Sequence, residues 1–337
     1  MKRFLGAALL LGACATTLYA DEGRIPIYQQ TTISQPGYYL VTRDFTAPAG
    51  SHGIVVQASN VVVDLNGHTV TTTDAFRNGV EISDGSSNIT IRNGRLTGGL
   101  AGVHYYSFTT PSRIFVDSVD ITNTSADGIS FQGVLLLDVR NSNLHATHGI
   151  VGFGTAGGEG VVRIVNTTIK QTDGPAIWAT VMKTVELRNN VISETTSGWA
   201  GIVVSGSTAY ASLPSVIEGN TVTLCNRGID VQGTNMTVLI KNNVIINNRE
   251  VGIALATDDN TVVGNNISRN ASHGVTIQGN RNLIDANQID ANGVAGTVYG
   301  IYFQNNNAIY RNNILRGNRT AATGGTNGNT NGGGNIS

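Results

Sequence analysis

Cysteine is nearly missing from this chain: among 337 residues only Cys14 and Cys225 carry a thiol. Cys14 falls within an N-terminal leader, so the remainder has no partner for an intrachain disulfide, and Cys225 is expected to be a small buried hydrophobe. Charge is equally sparse. Asp, Glu, Lys and Arg make up 13% of the residues and nearly cancel to a net charge of −1. There is no basic face and no charged tail, which excludes a nucleic-acid partner. Helical periodicity is absent, as are zinc-ligand spacing, a phosphate-cradling glycine loop and a serine-nucleophile elbow. No metal set and no cofactor is expected. A chain without disulfides or a metal must be held by burial and backbone pairing.

The first twenty residues read as an export leader. Lys2 and Arg3 form its positive end, and the apolar stretch 4–13 is too short to span a membrane. Ala13-Cys14-Ala15 and Leu18-Tyr19-Ala20 offer small-residue cleavage sites. Leu11-Gly12-Ala13-Cys14 also resembles the lipobox of bacterial lipoproteins. The leader therefore implies export to the periplasm or beyond, either as a soluble protein or with a lipid anchor on Cys14. A monomer is expected.

What the chain has in abundance is a repeat. A phrase of the form x-Gly-Ile-x-apolar occurs eleven times, at glycine steps of 21 to 27 residues, with only Ala176 replacing the glycine. Asp127-Gly128-Ile129-Ser130-Phe131 is one copy and Arg227-Gly228-Ile229-Asp230-Val231 another. Such self-similarity defines a solenoid. Each coil adds an alternating run such as Val185-Glu186-Leu187, then one inward apolar residue five positions later. That step joins Leu65 to Val70, Leu187 to Ile192 and, at the last coil, Ile309 to Ile314. Inside this turn stand asparagines in two phases: Asn93, Asn141, Asn166 and Asn189, and one position later Asn190, Asn220, Asn243, Asn265, Asn287 and Asn312. Coils stacked about 4.8 Å apart would align these amides into a hydrogen-bonded ladder. The pattern divides the chain into a leader (1–20), an irregular N-terminal cap of strands (21–50), the coils (51–320) and a flexible Gly/Asn-rich tail (321–337).

The Gly-Ile strands, the Val-x-Ile strands and the internal asparagines resemble right-handed parallel β-helix proteins, a superfamily that includes pectate lyases and polysaccharide epimerases. The resemblance covers roughly residues 30–320. It implies an all-β, single-stranded right-handed parallel β-helix of about eleven coils, and a polysaccharide groove along the first strand of each coil. The Asp-Pro-His run of alginate epimerases is absent, which counts against that activity. Asp117, Asp120 and Asp138 lie on the other strands, so no outward aspartate triplet for the calcium of pectate lyases is found.

Function must use the outward positions of the phrase. These concentrate chemistry between Glu81 and Trp178. Glu81, His104, Tyr106, Asp127 and His148 form a candidate acid–base set. Trp178 and Phe153 offer faces for sugar rings, Arg77, Arg95 and Arg227 offer positive charge for a uronate carboxylate, and Asp230 is a further substrate-binding candidate. His52, His68, His145 and His273 read as turn residues. Three activities fit: proton abstraction on an acidic polysaccharide by β-elimination or epimerisation, with His104 or His148 as base and Tyr106 as acid; glycan binding or a rigid-rod role without catalysis; and glycoside hydrolysis by Glu81 and Asp127.

Overall fold

The computed structural model describes residues 23–154, 160–196, 198–206, 213–305, 307–326 and 328–337. The leader, including Cys14, lies outside the described residues. Among those residues there is no helix, and all named strand pairings are parallel. The phrase strands form one 13-stranded sheet, running from Thr31–Ile33 through Val103–Tyr106 and Arg227–Gln232 to Ala321–Gly325. The other strands of each coil form a 23-stranded sheet, continuous where the long strands Ile89–Gly98 and Ser112–Thr122 turn the corner. The chain is thus a right-handed parallel β-helix.

Alternation along each phrase strand sends one set of side chains inward and the other out. Ile129, Phe131, Ile150, Ile177, Val204, Ile229 and Val231 are buried in a single apolar column with Leu187, Ile217 and Ile240 from the opposite wall. Cys225 joins this core, as expected.

The buried asparagine ladder runs Asn190–Asn220–Asn243–Asn265–Asn287–Asn313–Asn335, each Nδ2 donating to the next Oδ1 at 2.9–3.1 Å. Its sixth member is Asn313, where the sequence pattern pointed to Asn312. The coil is displaced by one residue: Ile284 pairs with Tyr310, so Ile309 and Ile314 point outward at 43% and 37% exposure. Ala308 and Leu315 fill the core instead. A one-residue shift turns every side chain to the other face, and neither apolarity nor branching reveals it. Asn93, Asn141, Asn166 and Asn189 do not enter the ladder. They are exposed, with φ of 49–57°, and provide the left-handed turn that asparagine tolerates.

Two further features differ from the sequence pattern. A second buried ladder, Asn248–Asn270–Asn292–Asn318, braces the turn leading into the phrase strand. The ends are also more regular than a cap and a tail. Arg24–Ile27 pairs in parallel with Gly37–Val41, and Thr31–Ile33 with Ile54–Val56. Beyond residue 320, Ala321–Gly325 pairs with Tyr299–Phe303, and Thr330–Asn331 with Ile309–Arg311. The expected flexible tail is therefore a final coil. It contributes few apolar side chains, but backbone pairing and the amide of Asn335 satisfy the edge below it.

Candidate functional site

The outer face of the 13-stranded sheet holds the candidate residues in columns set by strand register. Glu81 is level with His104, His104 with Ser130, Ser130 with Val151, Val151 with Trp178, Trp178 with Val203, and Val203 with Asp230. A flanking column places Asp127 beside His148 and Ala200 beside Arg227.

The acid–base candidates resolve into two separate pairs. His104 Nδ1 lies 3.0 Å from Glu81 Oε2, and His148 Nδ1 lies 2.8 Å from Asp127 Oδ1. His104 and His148 stand two rungs and three residues apart, about 14 Å between backbone positions, so each histidine serves its own carboxylate. The His148 ring rests against Gly174, where an added Cβ would meet its Cδ2 at 2.1 Å. Tyr106 is exposed and meets Phe108 edge to face, with centroids 4.9 Å apart.

Glu81 draws in a residue that sequence spacing assigned to a turn. His52 Nδ1 is 3.8 Å from Glu81 Oε2 and accepts the Asn78 N–H at 3.0 Å. Asn78 Nδ2 also donates to Glu81 at 2.6 Å. Burial pushes the Glu81 carboxyl up, but the bond from His104, its charge, and the contributions of Asn78 and His52 outweigh it and leave the group below its usual range. Burial likewise pushes the His52 imidazole down, against the attraction of Glu81.

Both shifts act on stability with one sign. A depressed folded-state pKa stabilises above the unfolded value and loses that contribution as pH falls through the folded one. The His52 contribution is thus complete above about pH 6.5 and the Glu81 contribution above about pH 4.5, and both decline on acidification. In thermal melts from pH 7 to pH 4, the double variant His52→Asn, Glu81→Gln is expected to show a shallower fall in Tm than the parent. Parallel curves would refute this linkage.

Three rungs above His104 stands an aromatic cluster. Trp178 packs against Phe153 at 5.6 Å and against Trp199 at 5.3 Å between centroids. Trp199 was not picked out by the repeat because it precedes the phrase rather than occupying it. One signal was available: it is one of only two tryptophans, next to the flanking-column residue Ala200. Trp178, Trp199, Ala200, Val203, Arg227, Asp230 and Gln232 line a common pit. Its far wall is an ion pair, Arg227 Nη1 to Asp230 Oδ2 at 2.9 Å, extended by Gln232 to Asp230 at 2.8 Å and by Arg227 to Glu250 at 3.0 Å. These carboxylates hold the Arg227 guanidinium above its ordinary value, the Glu250 bond contributing most.

Arg77 is exposed beside His52 and has no carboxylate partner among the described residues. Arg95 is bonded to Asp120 at 3.4 Å on the 23-stranded sheet, away from this face.

Coiled parallel strands with an outward face of charged and aromatic columns define the class: a parallel β-helix protein. The chain belongs to the family described as "Periplasmic copper-binding protein (NosD)", which matches residues 139–333, more than half of its length. No curated protein matches it in sequence. Among solved structures it is similar to the A-module of mannuronan C-5 epimerase AlgE6 from Azotobacter vinelandii, with a TM-score of 0.67 at 17% identity over 90% of this chain and 91% of that one. It is also similar to a mutant of the periplasmic alginate epimerase AlgG, at 0.56 and 15% over 92% and 75%. A third is the catalytic unit of a GH87 α-1,3-glucanase from Streptomyces thermodiastaticus, at 0.55 and 16% over 93% and 62%. At these identities the likeness is one of fold.

The family description raises the question of copper, which favours imidazole, thiolate and thioether ligands. Among the described residues no group of three or more His, Cys, Asp or Glu is arranged to hold a metal ion. Cys225 is buried in the core with its thiol pushed up by burial, and Met182 and Met236 are buried. The Nδ1 atoms of His52 and His273 accept backbone N–H groups, and those of His104 and His148 face carboxylates. The described side chains do not fit a copper centre.

Proposed function

We propose that this chain is an exported protein that binds an extended acidic polysaccharide along the outer face of its 13-stranded sheet, and that His104 moves a proton on the bound sugar. The observation that carries this reading is the linear order of the face. A His–Glu pair, a His–Asp pair, an aromatic cluster and an Arg–Asp–Gln wall follow one another on successive rungs. From Glu81 to Asp230 the face spans six rungs, about 29 Å, the length of several sugar units.

Glu81 holds the Nδ1 edge of His104 and leaves Nε2 for the substrate, the arrangement of an oriented general base. Nε2 takes the proton from the carbon next to the uronate carboxylate, and Arg77 offsets the charge that develops. Return of a proton to the opposite face gives the epimer. Departure of the neighbouring glycosidic oxygen, protonated by Tyr106, gives the unsaturated sugar. The names of the AlgE6 and AlgG proteins, as epimerases of mannuronan and alginate, support the substrate class. The periplasmic family and AlgG support export. Export in soluble form and export with a lipid on Cys14 are both open within this proposal.

A panel of uronate-containing glycans tests this. New ultraviolet absorbance marks elimination, and uptake of solvent deuterium at the sugar marks epimerisation. Reducing ends without absorbance would replace this chemistry by hydrolysis through Glu81 and Asp127. Binding with no change in any glycan would leave a non-catalytic glycan-binding protein. No binding to any member of the panel would defeat the proposal.

A further inference from the structure

The Arg227–Asp230 wall has a pit on each side. The first is the one closed by Trp178 and Trp199 and floored by Ala200 and Val203. The second lies beyond Arg227, floored by Val251 and Ala254 and closed by His273, Thr276, Gln278, Tyr302 and Gln304. In both cases a rung of short side chains is bounded by Arg227 on one side and by aromatic rings on the other. Register places the floors two rungs apart, Val203 to Asp230 to Ala254, or about 10 Å. That is the advance of two sugar rings in an extended chain.

The far wall of the second pit is built rather than incidental. His273, Tyr299 and Tyr302 are stacked within 10° of parallel, with His273 and Tyr302 centroids 4.5 Å apart. His273 is held in place by the Tyr299 N–H, which donates to Nδ1 at 3.0 Å. Beside this stack the hydroxyl of Thr276 is buried without a hydrogen-bond partner. A buried hydroxyl left unpaired costs free energy, and Thr276 lines the pit that the hydroxyl of a bound sugar would enter. The amides of Gln278 and Gln304 add donors and acceptors on the outer side.

We infer that the second pit is a further sugar subsite, and that the protein recognises a linear glycan at every second residue, through one ring in each pit with Arg227 between them. This rests on the glycan-binding reading above and adds to it the repeat of the ligand. The chain must be extended, must present the same ring face at alternate residues, and must carry at least three sugars to occupy both pits.

The test is binding of 1,4-linked uronic-acid oligomers, from disaccharide to hexasaccharide, to the intact protein. Affinity is expected to rise steeply between two and four sugars and to level off slowly thereafter. Thr276→Val keeps the shape and removes only the hydroxyl. It should weaken the tetrasaccharide about fivefold to tenfold, the worth of one hydrogen bond, and leave the disaccharide unchanged. Tyr302→Ala should do the same, while Trp199→Ala weakens every length. If tetrasaccharide binding is insensitive to both Thr276→Val and Tyr302→Ala, the second subsite is wrong and the glycan-binding reading stands. If no oligomer binds, both fall together.

Discussion

Replacing His104 by glutamine is expected to lower turnover of the uronate glycan by roughly two to four orders of magnitude, the usual contribution of a positioned general acid or base. Glutamine retains a donor for Glu81 but has no group that takes up a proton near neutral pH. Glu81→Gln should cost less and act differently. It removes the carboxylate that fixes the His104 Nδ1 edge, 3.0 Å away, and so lowers the rate by leaving the base unoriented and not by deleting it. The urea midpoint of His104→Gln should stay close to the parent's, because glutamine keeps a donor for Glu81 and the side chain lies on the outer face and not in the core column. Activity within threefold of the parent would remove His104 from the mechanism. The His148–Asp127 pair would then be the next candidate.

Asn243→Ala is expected to be among the most destabilising single substitutions in the protein, by about 3–5 kcal/mol. Asn243 Oδ1 accepts both the backbone N–H and the Nδ2 of Asn220, and its own Nδ2 donates to Ile217 O at 2.8 Å and to Asn265 Oδ1 at 2.9 Å. Alanine leaves these groups unpaired in a site from which water is excluded. The control is Asn312→Ala, one residue outside the ladder, where the amide is exposed and bonds only Asp285; it should cost about 1 kcal/mol, mostly from placing alanine at a φ of 55°, well short of the loss at Asn243. Urea unfolding measures both. Equal effects would mean that the ladder is not a buried, mutually satisfied network.

Much of the fold was legible in sequence because its period is enforced by physics that leaves marks on single residues. A strand buried on one side must alternate, a coil must return to the same level, and an asparagine that satisfies its neighbour must recur at the same place. Asn190 to Asn287 could therefore be read directly. Periodicity is ambiguous where two residues satisfy the same rule. Ile309 and Tyr310 both suit a core position, and Asn312 and Asn313 both suit the ladder; only the pairing of Ile284 with Tyr310 decides between them. The last coil leaves no such mark on the sequence. Its glycines and asparagines lack the apolar residues that mark a strand, yet its backbone groups pair with the coil below.

The site was legible in its columns and not in its contacts. Spacing placed Glu81 level with His104, and Asp127 beside His148, because register along a parallel sheet is additive from rung to rung. Spacing did not place His52 beside Glu81, Trp199 beside Trp178, or His273 against Tyr299 and Tyr302. Each of these meetings depends on how a turn residue leans over its neighbouring rung. The sequence by itself determined the class of fold, the direction of the sheet and which side chains face outward, since all three follow from periodicity along one dimension. Only the tertiary structure decided which of those outward side chains meet, that two histidines serve two separate carboxylates, and that Arg227 stands between two pits. Those relations lie across the stack, where turn geometry and side-chain reach, and not sequence spacing, set the distances.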